Sequence, residues 1–438
     1  MQLSTQRLVA LQHRDFRLLW LGQLISITGS QMQIVAVDWH IYQLLRGHTY
    51  TLSLLGWEIP LQAEALGLGL LGLMRVLPII LFALLGGMLA DTRDRRQLMM
   101  WTQGIAALFA AVLAIITLTG NESVVAIYLL TAAGAAAMAF DNPARQSLVP
   151  NLVPREHLTN AVSLNTLMWQ IATIVGPALV GLLVGAFNIG LVYVLNALSF
   201  VAVLVALLMM SYRGQAAAQN TSVGWSALVE GLRFTYKSRL IWSTMLLDFF
   251  ATFFSSARTM LPIVASDMLG VGVQGYGLLA TAQPIGAVLA GSIVSVRREI
   301  YRQGVVLLIS VAIYGLATTL FGVSTIFALS YLLFGLTGAA DTVSTVIRGT
   351  LRQVMTPDYL RGRMTGINMI FFMGGPQLGE LEAGLVAAVF GVPFAIVSGG
   401  LATVLLTGWV AWKYPRLRMY TSAMAADYSH ANLAKETG

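Results

Sequence analysis

The sequence has 438 residues, of which 57% are hydrophobic and only 10% charged, with a formal net charge of +7 and no cysteine. A soluble chain carries roughly 25% charged residues and has no core large enough to hide this much apolar surface. Without cysteine there is no disulfide framework, thiolate metal site or cysteine nucleophile.

Residues 1–17 carry Arg7, His13, Arg14, Asp15 and Arg17 ahead of a long apolar stretch. They read as a cytoplasmic leader feeding a first helix, not as a cleavable signal peptide. Apolar segments follow at 18–44, 66–90, 98–119, 124–144, 161–186 and 190–211. After a polar stretch, Ser211–Arg239, a second set runs at 240–266, 275–296, 303–322, 324–347, 364–390 and 393–412. A membrane-spanning helix needs about 20 apolar residues, whereas buried helices of soluble proteins show runs of about 10–14. The pattern predicts an all-α membrane protein of twelve transmembrane helices. Its parts are a leader (1–17), an N-terminal six-helix bundle (18–211), a cytoplasmic central loop (212–239), a C-terminal six-helix bundle (240–412) and a cytoplasmic tail (413–438).

With the N-terminus inside, 23 of the 26 Lys and Arg residues fall on inner segments; Arg46 is in an outer loop, and Arg75 and Arg258 lie within helices. Basic residues concentrate on the cytoplasmic side, so both termini are expected there. The positive charge is thus a topology signal and not a footprint for nucleic acid. The halves also repeat. An offset of 203 places Arg145 on Arg348, Pro154 on Pro357, Asn165 on Asn368, Gly176 on Gly379 and Gly181 on Gly384. Six helices on each side of a polar loop, with these matches, predict parallel repeats as two pseudo-symmetric bundles.

The stretch Gly87-Met-Leu-Ala-Asp91-Thr-Arg93-Asp94-Arg95-Arg96 resembles motif A of the major facilitator superfamily. Asp94 stands where that motif usually has Gly, and Thr92 where it often has Arg. The leader His13-Arg-Asp-Phe-Arg-Leu-Leu-Trp20 and the run Arg361-Gly-Arg363-Met-Thr-Gly-Ile-Asn368 point to its siderophore and drug efflux branch, the relatives of the enterobactin exporter. The resemblance covers about residues 12–412. It implies the major facilitator fold, in which helices 1, 4, 7 and 10 line a central path and helices 2, 5, 8 and 11 flank it. It also implies a cytoplasmic latch: Gly87 lets helices approach, and Asp91 faces a helix N-terminus with Arg145 as partner, beside Arg95 and Arg96. In the second repeat Ser295 replaces the Asp91 carboxylate.

Charges retained within the membrane usually face a cavity or a partner, because each costs at least about 2.5 kcal/mol at mid-bilayer. Here they are Asp38, Arg75, Asp141, Asp248, Arg258, Asp341, Glu380 and Glu382, all on helices of the path-lining or flanking sets. Asp38 and Arg75 share the outer half and are expected to pair, which makes Asp38 the first candidate for proton coupling. An interfacial Asp beside Trp39 and His40 is the bland alternative. Asp141 with Arg145, and Asp341 with Arg348, read as inner gate pairs. Asp248 and Arg258, ten residues apart, are not expected to pair, and Arg258 suits an anionic group. Glu380 and Glu382 point to different faces, so one of them sees the path. Gly176-Pro177 and Gly374-Gly375-Pro376 are expected to break helices 5 and 11, or else to pack tightly there. Trp169, Phe249, Phe250, Phe253, Phe254, Phe371, Phe372 and Met373 are candidates for an apolar pocket.

The sequence contains no P-loop, H-E-x-x-H or G-x-S-x-G, and its five histidines are scattered. The expectation is a monomeric secondary transporter of a bacterial plasma or inner membrane, with a small-molecule substrate, lipid around it and no cofactor beyond a proton gradient. It would export an organic solute, siderophore-like or amphipathic and drug-like, in exchange for protons by rocking of its two bundles. Uptake by proton symport is the alternative on the same fold, and a polytopic membrane enzyme is the alternative from another class.

Overall fold

The computed structural model describes residues 8–54, 57–213, 232–297, 300–357 and 360–424. Most of the predicted central loop, the end of the tail and residues 1–7 of the leader lie outside the described residues, as do the side chains of Asp91 and Met373. The long helices among the described residues are α1 (Arg14–Leu45), α2 (Ala63–Thr92), α3 (Arg95–Leu118), α4 (Val124–Leu148), α5 (Leu158–Ala186) and α6 (Ile189–Met209). They continue as α7 (Arg239–Phe254), α8 (Gly272–Val296), α9 (Gln303–Val323), α10 (Phe327–Met355), α11 (Arg361–Phe390) and α12 (Val392–Lys413).

Helix is what these runs must form in lipid, where no water is present to satisfy a free N–H or C=O. Side chains mark several starts. Asp94 accepts from the Arg96 and Gln97 amides at α3, Ser123 from Ala126 at α4, and Asn188 from Leu191 at α6. A single residue, Gly391, joins α11 to α12; its φ of 88° is one that glycine adopts without strain. Helices α2 to α6, the 239–268 run that begins with α7, α8 to α10 and α12 are long and apolar enough to cross a bilayer, ten in all among the described residues. The other two are as long but more polar. Gln23, Ser26, Gln31, Asp38 and His40 of α1 are buried, so its polar side chains point inward.

Two features depart from the expected pattern. The segment before α2 is a β-hairpin, β1 (Thr49–Leu54) with β2 (Trp57–Gln62), antiparallel from Thr49 opposite Gln62 to Leu54 opposite Trp57. Its Thr, Tyr, Trp and Ile residues suit a pleated strand. In addition, the predicted breaks at Gly176-Pro177 and Gly374-Gly375-Pro376 are not breaks: α5 and α11 run through them with Pro177 and Pro376 inside. The glycines serve contact instead. A Cβ at Gly176 would lie 3.1 Å from the Met32 amide of α1, and one at Gly375 would lie 3.1 Å from the Phe249 carbonyl of α7. The discontinuity falls on helix 7. After α7 come a 3₁₀ turn (Ala257–Met260), one helical turn (Leu261–Ile263) and a π turn (Val264–Met268). Pro262 has no N–H to offer the Arg258 carbonyl. Hydroxyls stitch the break: Ser255 Oγ shares a 2.8 Å bond with Thr403 Oγ1, and Tyr314 donates to the Ser255 carbonyl at 3.4 Å.

The chain forms two compact units. One comprises Met1–Arg46, Leu73–Asn220 and Gly270–Thr281; the other comprises Gly47–Gly72, Thr221–Leu269 and Ala282–Gly438. The core of the first includes Phe16, Leu19, Met99, Leu148, Leu164, Val203 and Leu207. That of the second includes Ile241, Met245, Leu307, Val311, Ile347, Leu351 and Val410. Large apolar side chains also stand bare, among them Trp101, Leu129, Leu332, Leu405 and Trp412. Exposure on this scale fits lipid as the solvent of both units.

Candidate functional site

In the first unit, Asp38 of α1 and Arg75 of α2 form an ion pair, Arg75 Nη2 donating to Asp38 Oδ1 at 2.5 Å. The side chains are 10% and 15% exposed. Antiparallel helices α1 and α2 bring the residues to one depth, and the same guanidinium nitrogen lies 3.5 Å from the Ile34 carbonyl. Trp39 stacks on Tyr276, whose hydroxyl donates to the Val35 carbonyl at 3.1 Å. His40 Nδ1 lies 3.1 Å from the Tyr193 hydroxyl. Asp38 is therefore a buried, paired carboxylate.

Asp141 and Arg145, expected as a gate pair, are close neighbours but make no direct ion pair. Asp141 Oδ1 accepts from Thr102 Oγ1 at 3.0 Å and Gln103 Nε2 at 2.9 Å, because the carboxylate turns toward α3, where two donors wait. Arg145 instead donates to Asn142 Oδ1 at 2.7 Å and Gln23 Oε1 at 3.3 Å, and lies 5.3 Å from the centre of the Trp169 ring. Thr102, Gln103 and Gln23 were missed in the sequence. The signal was there for α1, where Gln23, Ser26 and Ser30 recur at helical spacing inside an apolar run.

Around motif A, Gly86 also lets helices meet. A Cβ on Gly86 would lie 3.1 Å from Phe140 Cα, whereas among the described residues nothing lies within 4 Å of one on Gly87. The departure at Asp94 is the α3 N-cap, a role glycine would fill without a side-chain acceptor. Arg95 donates to the Ala90 and Ser147 carbonyls, and Arg96 to that of Leu208. Arg14 donates to the Met209 carbonyl, while Asp15 accepts from the Ser211 and Tyr212 amides. Cations thus sit on the C-terminal ends of α4 and α6, where the carbonyls and the helix dipole favour them.

In the second unit, Arg348 of α10 is 2% exposed. It pairs with Asp248 of α7, and its Nη2 lies 3.4 Å from Asp341 Oδ1 and donates to Thr345 Oγ1 at 2.7 Å. The Asp248 side chain is 6% exposed and that of Asp341 44%. Three charges expected to serve separately as cavity residue and gate pair are therefore one cluster. Arg258 is exposed on the 3₁₀ turn, apart from Asp248. Glu380 is buried, its Cβ close to Gly72, and Glu382 is half-buried. Phe249, Phe250, Phe253 and Phe254 make a ladder along α7 that Phe371 of α11 extends, with ring centres 5.1–6.0 Å apart. Among the described residues no group of three or more His, Asp or Glu side chains is placed to hold a metal ion.

Residues 5–436 match the family described as transmembrane secretion effector. Similar curated proteins include the enterobactin exporters EntS of Salmonella choleraesuis (strain SC-B67) and Salmonella typhi. They are 27% and 28% identical over 403 residues, covering 90% of this chain and 93% of each relative. Solved structures of like fold include the nucleoside transporter NupG (TM-score 0.69, 13% identity, 93% of this chain and 99% of that one). Another is a bacterial homolog to the human lysosomal transporter Spinster in an inward-facing and occupied conformation (0.66, 14%, 96% and 97%). A third is the peptide transporter POT in complex with sulfate (0.70, 13%, 92% and 95%).

Proposed function

Because the chain belongs to the transmembrane secretion effector family of the major facilitator superfamily, we propose that it exports an organic solute in exchange for protons, with Asp38 as the coupling carboxylate. The chain is a secondary transporter and not an enzyme, a multi-pass protein of a bacterial inner membrane. The observation that carries the coupling proposal is the Asp38–Arg75 pair, buried in a membrane-spanning bundle. The pair joins two neighbouring helices, so a movement of α1 against α2 would part the carboxylate from its cation. Rearrangement of α1 against α2 would then take up or release one proton for each passage of solute. The names of the relatives support a siderophore-like or amphipathic cargo. The Lys and Arg distribution supports α1 and α11 as two further spans, giving twelve, with both termini cytoplasmic.

The test is reconstitution into liposomes that hold a pH-sensitive dye, with a panel of amphipathic solutes applied across an imposed pH gradient. Solute-dependent proton flux is expected from the wild type. Asp38→Asn is expected to lose it by at least an order of magnitude while retaining downhill solute exchange. Wild-type flux from Asp38→Asn would remove that residue from the mechanism, and no flux with any solute would remove proton antiport.

A further inference from the structure

The repeat gives the molecule two equivalent arginines, and their surroundings differ. Arg348 has its compensation built in, two carboxylates and a threonine, beside a cavity of only about 10 Å³. Arg145, at the matching position of the first unit, is 8% exposed, yet its hydrogen bonds go to the neutral side chains Asn142 and Gln23. The nearby carboxylate, Asp141, is held on α3 by Thr102 and Gln103. The space beside Arg145 is a cavity of about 400 Å³, with Trp20, Asn165 and Trp169 also in its wall. That volume is in the range of small-molecule sites. Among the described residues, then, Arg145 is a buried cation whose hydrogen-bond partners are all neutral, on the edge of a cavity, and such a group is a site for an anion.

We propose that this cavity binds an organic anion with a flat aromatic body, its carboxylate or phenolate on Arg145 and its ring along Trp169. The guanidinium plane offers a fork that matches a carboxylate, and the indole supplies a face for stacking. Asn165 adds a side chain that both donates and accepts at the cavity wall. The proposal rests on the export reading only in making this ligand a cargo; the binding itself does not require transport.

The experiment measures equilibrium binding of radiolabelled 1-naphthoate to the purified full chain in detergent, with 1-naphthalenemethanol as the uncharged competitor. Saturable naphthoate binding that the alcohol displaces at least tenfold less well is the expected result. Arg145→Gln is expected to weaken it by about ten- to hundredfold, the usual worth of a charge-assisted hydrogen bond. Arg145→Lys is expected to recover part of the loss, and Trp169→Leu to weaken naphthoate more than cyclohexanecarboxylate. Size-exclusion profiles and unfolding midpoints of each variant separate loss of the site from loss of the fold. No saturable naphthoate binding, equal competition by the alcohol, or wild-type affinity in a folded Arg145→Gln variant would each overturn the proposal. Proton flux in liposomes is read separately: flux with no naphthoate site sinks only this inference, and a naphthoate site with no flux sinks only the antiport reading.

Discussion

Arg348 shows how a single buried charge constrains its neighbours. Removing one member of a buried ion pair leaves the other uncompensated and costs about 3–5 kcal/mol, whereas replacing both by apolar groups is often neutral. Asp248→Ala is therefore expected to destabilise the protein by about that amount, because Arg348 would keep Thr345 and, as its carboxylate, the more exposed Asp341 at 3.4 Å. The double variant Asp248→Leu, Arg348→Met is expected to recover most of the loss. Unfolding of purified protein in mixed micelles of rising denaturing-detergent content would report both, and a single variant as stable as the wild type would show that the pair is not a structural tie. The Asp38–Arg75 partnership was legible in the sequence because depth alone sets it: antiparallel α1 and α2 bring two charges to one level. The Arg348–Asp248 partnership was not, since it depends on how α7 and α10 pack sideways, which no linear pattern records. Asp141 illustrates the same limit, with one turn of helix placing it near Arg145 and α3 deciding where it bonds.

Lipid offers no hydrophobic drive for helices to associate, so packing and interhelical hydrogen bonds hold the elements together. The contact of α9 with α12 depends on bare backbone: a Cβ at Gly315 would lie 2.8 Å from the Gly400 carbonyl, and one at Gly400 would lie 2.6 Å from the Gly315 carbonyl. Gly400→Val is expected to cost about 1–3 kcal/mol by overpacking. Gly408→Ala on the same helix, where nothing lies within 4 Å, is expected to be neutral or slightly stabilising through its helix propensity. Thermal unfolding of the two variants side by side measures the difference; equal midpoints would show that the contact is loose. At this scale most helices were readable, because a bilayer forces long apolar runs into one conformation. The hairpin was not. An isolated two-stranded sheet is marginal, so packing had to decide it, and β2 lies against α11 within its unit. Prolines also misled, since those inside α5 and α11 fit helices whose adjacent glycines pack on neighbours, while Pro262 accompanies the real discontinuity.

At the scale of the whole chain, the distribution of Lys and Arg makes a claim about sidedness. Because the sequence has no cysteine, single cysteines can be placed without first clearing a background. A cysteine at Gly47 is expected to react with a membrane-impermeant maleimide on intact spheroplasts, and one at Thr421 only after permeabilisation. The reverse pattern would invert the topology. The cargo was not legible, because fold and orientation are written in apolar length and basic flanks, whereas the site proposed for an anion rests on a few side chains, Arg145 and Trp169 among them. Those acquire a shared wall only when α4 and α5 pack.

The interrupted seventh helix also bears on how the protein is made. Its break is closed by Tyr314 of α9 and by Thr403 of α12, residues that leave the ribosome well after it. The 239–268 run must therefore enter the bilayer before its own backbone is satisfied. Nascent chains truncated ahead of α9 are expected to hold this segment poorly in the lipid phase and to depend on an insertion chaperone. Synthesis through α12 is expected to fix it in place, which site-specific crosslinking to the translocon along a series of truncation lengths would reveal.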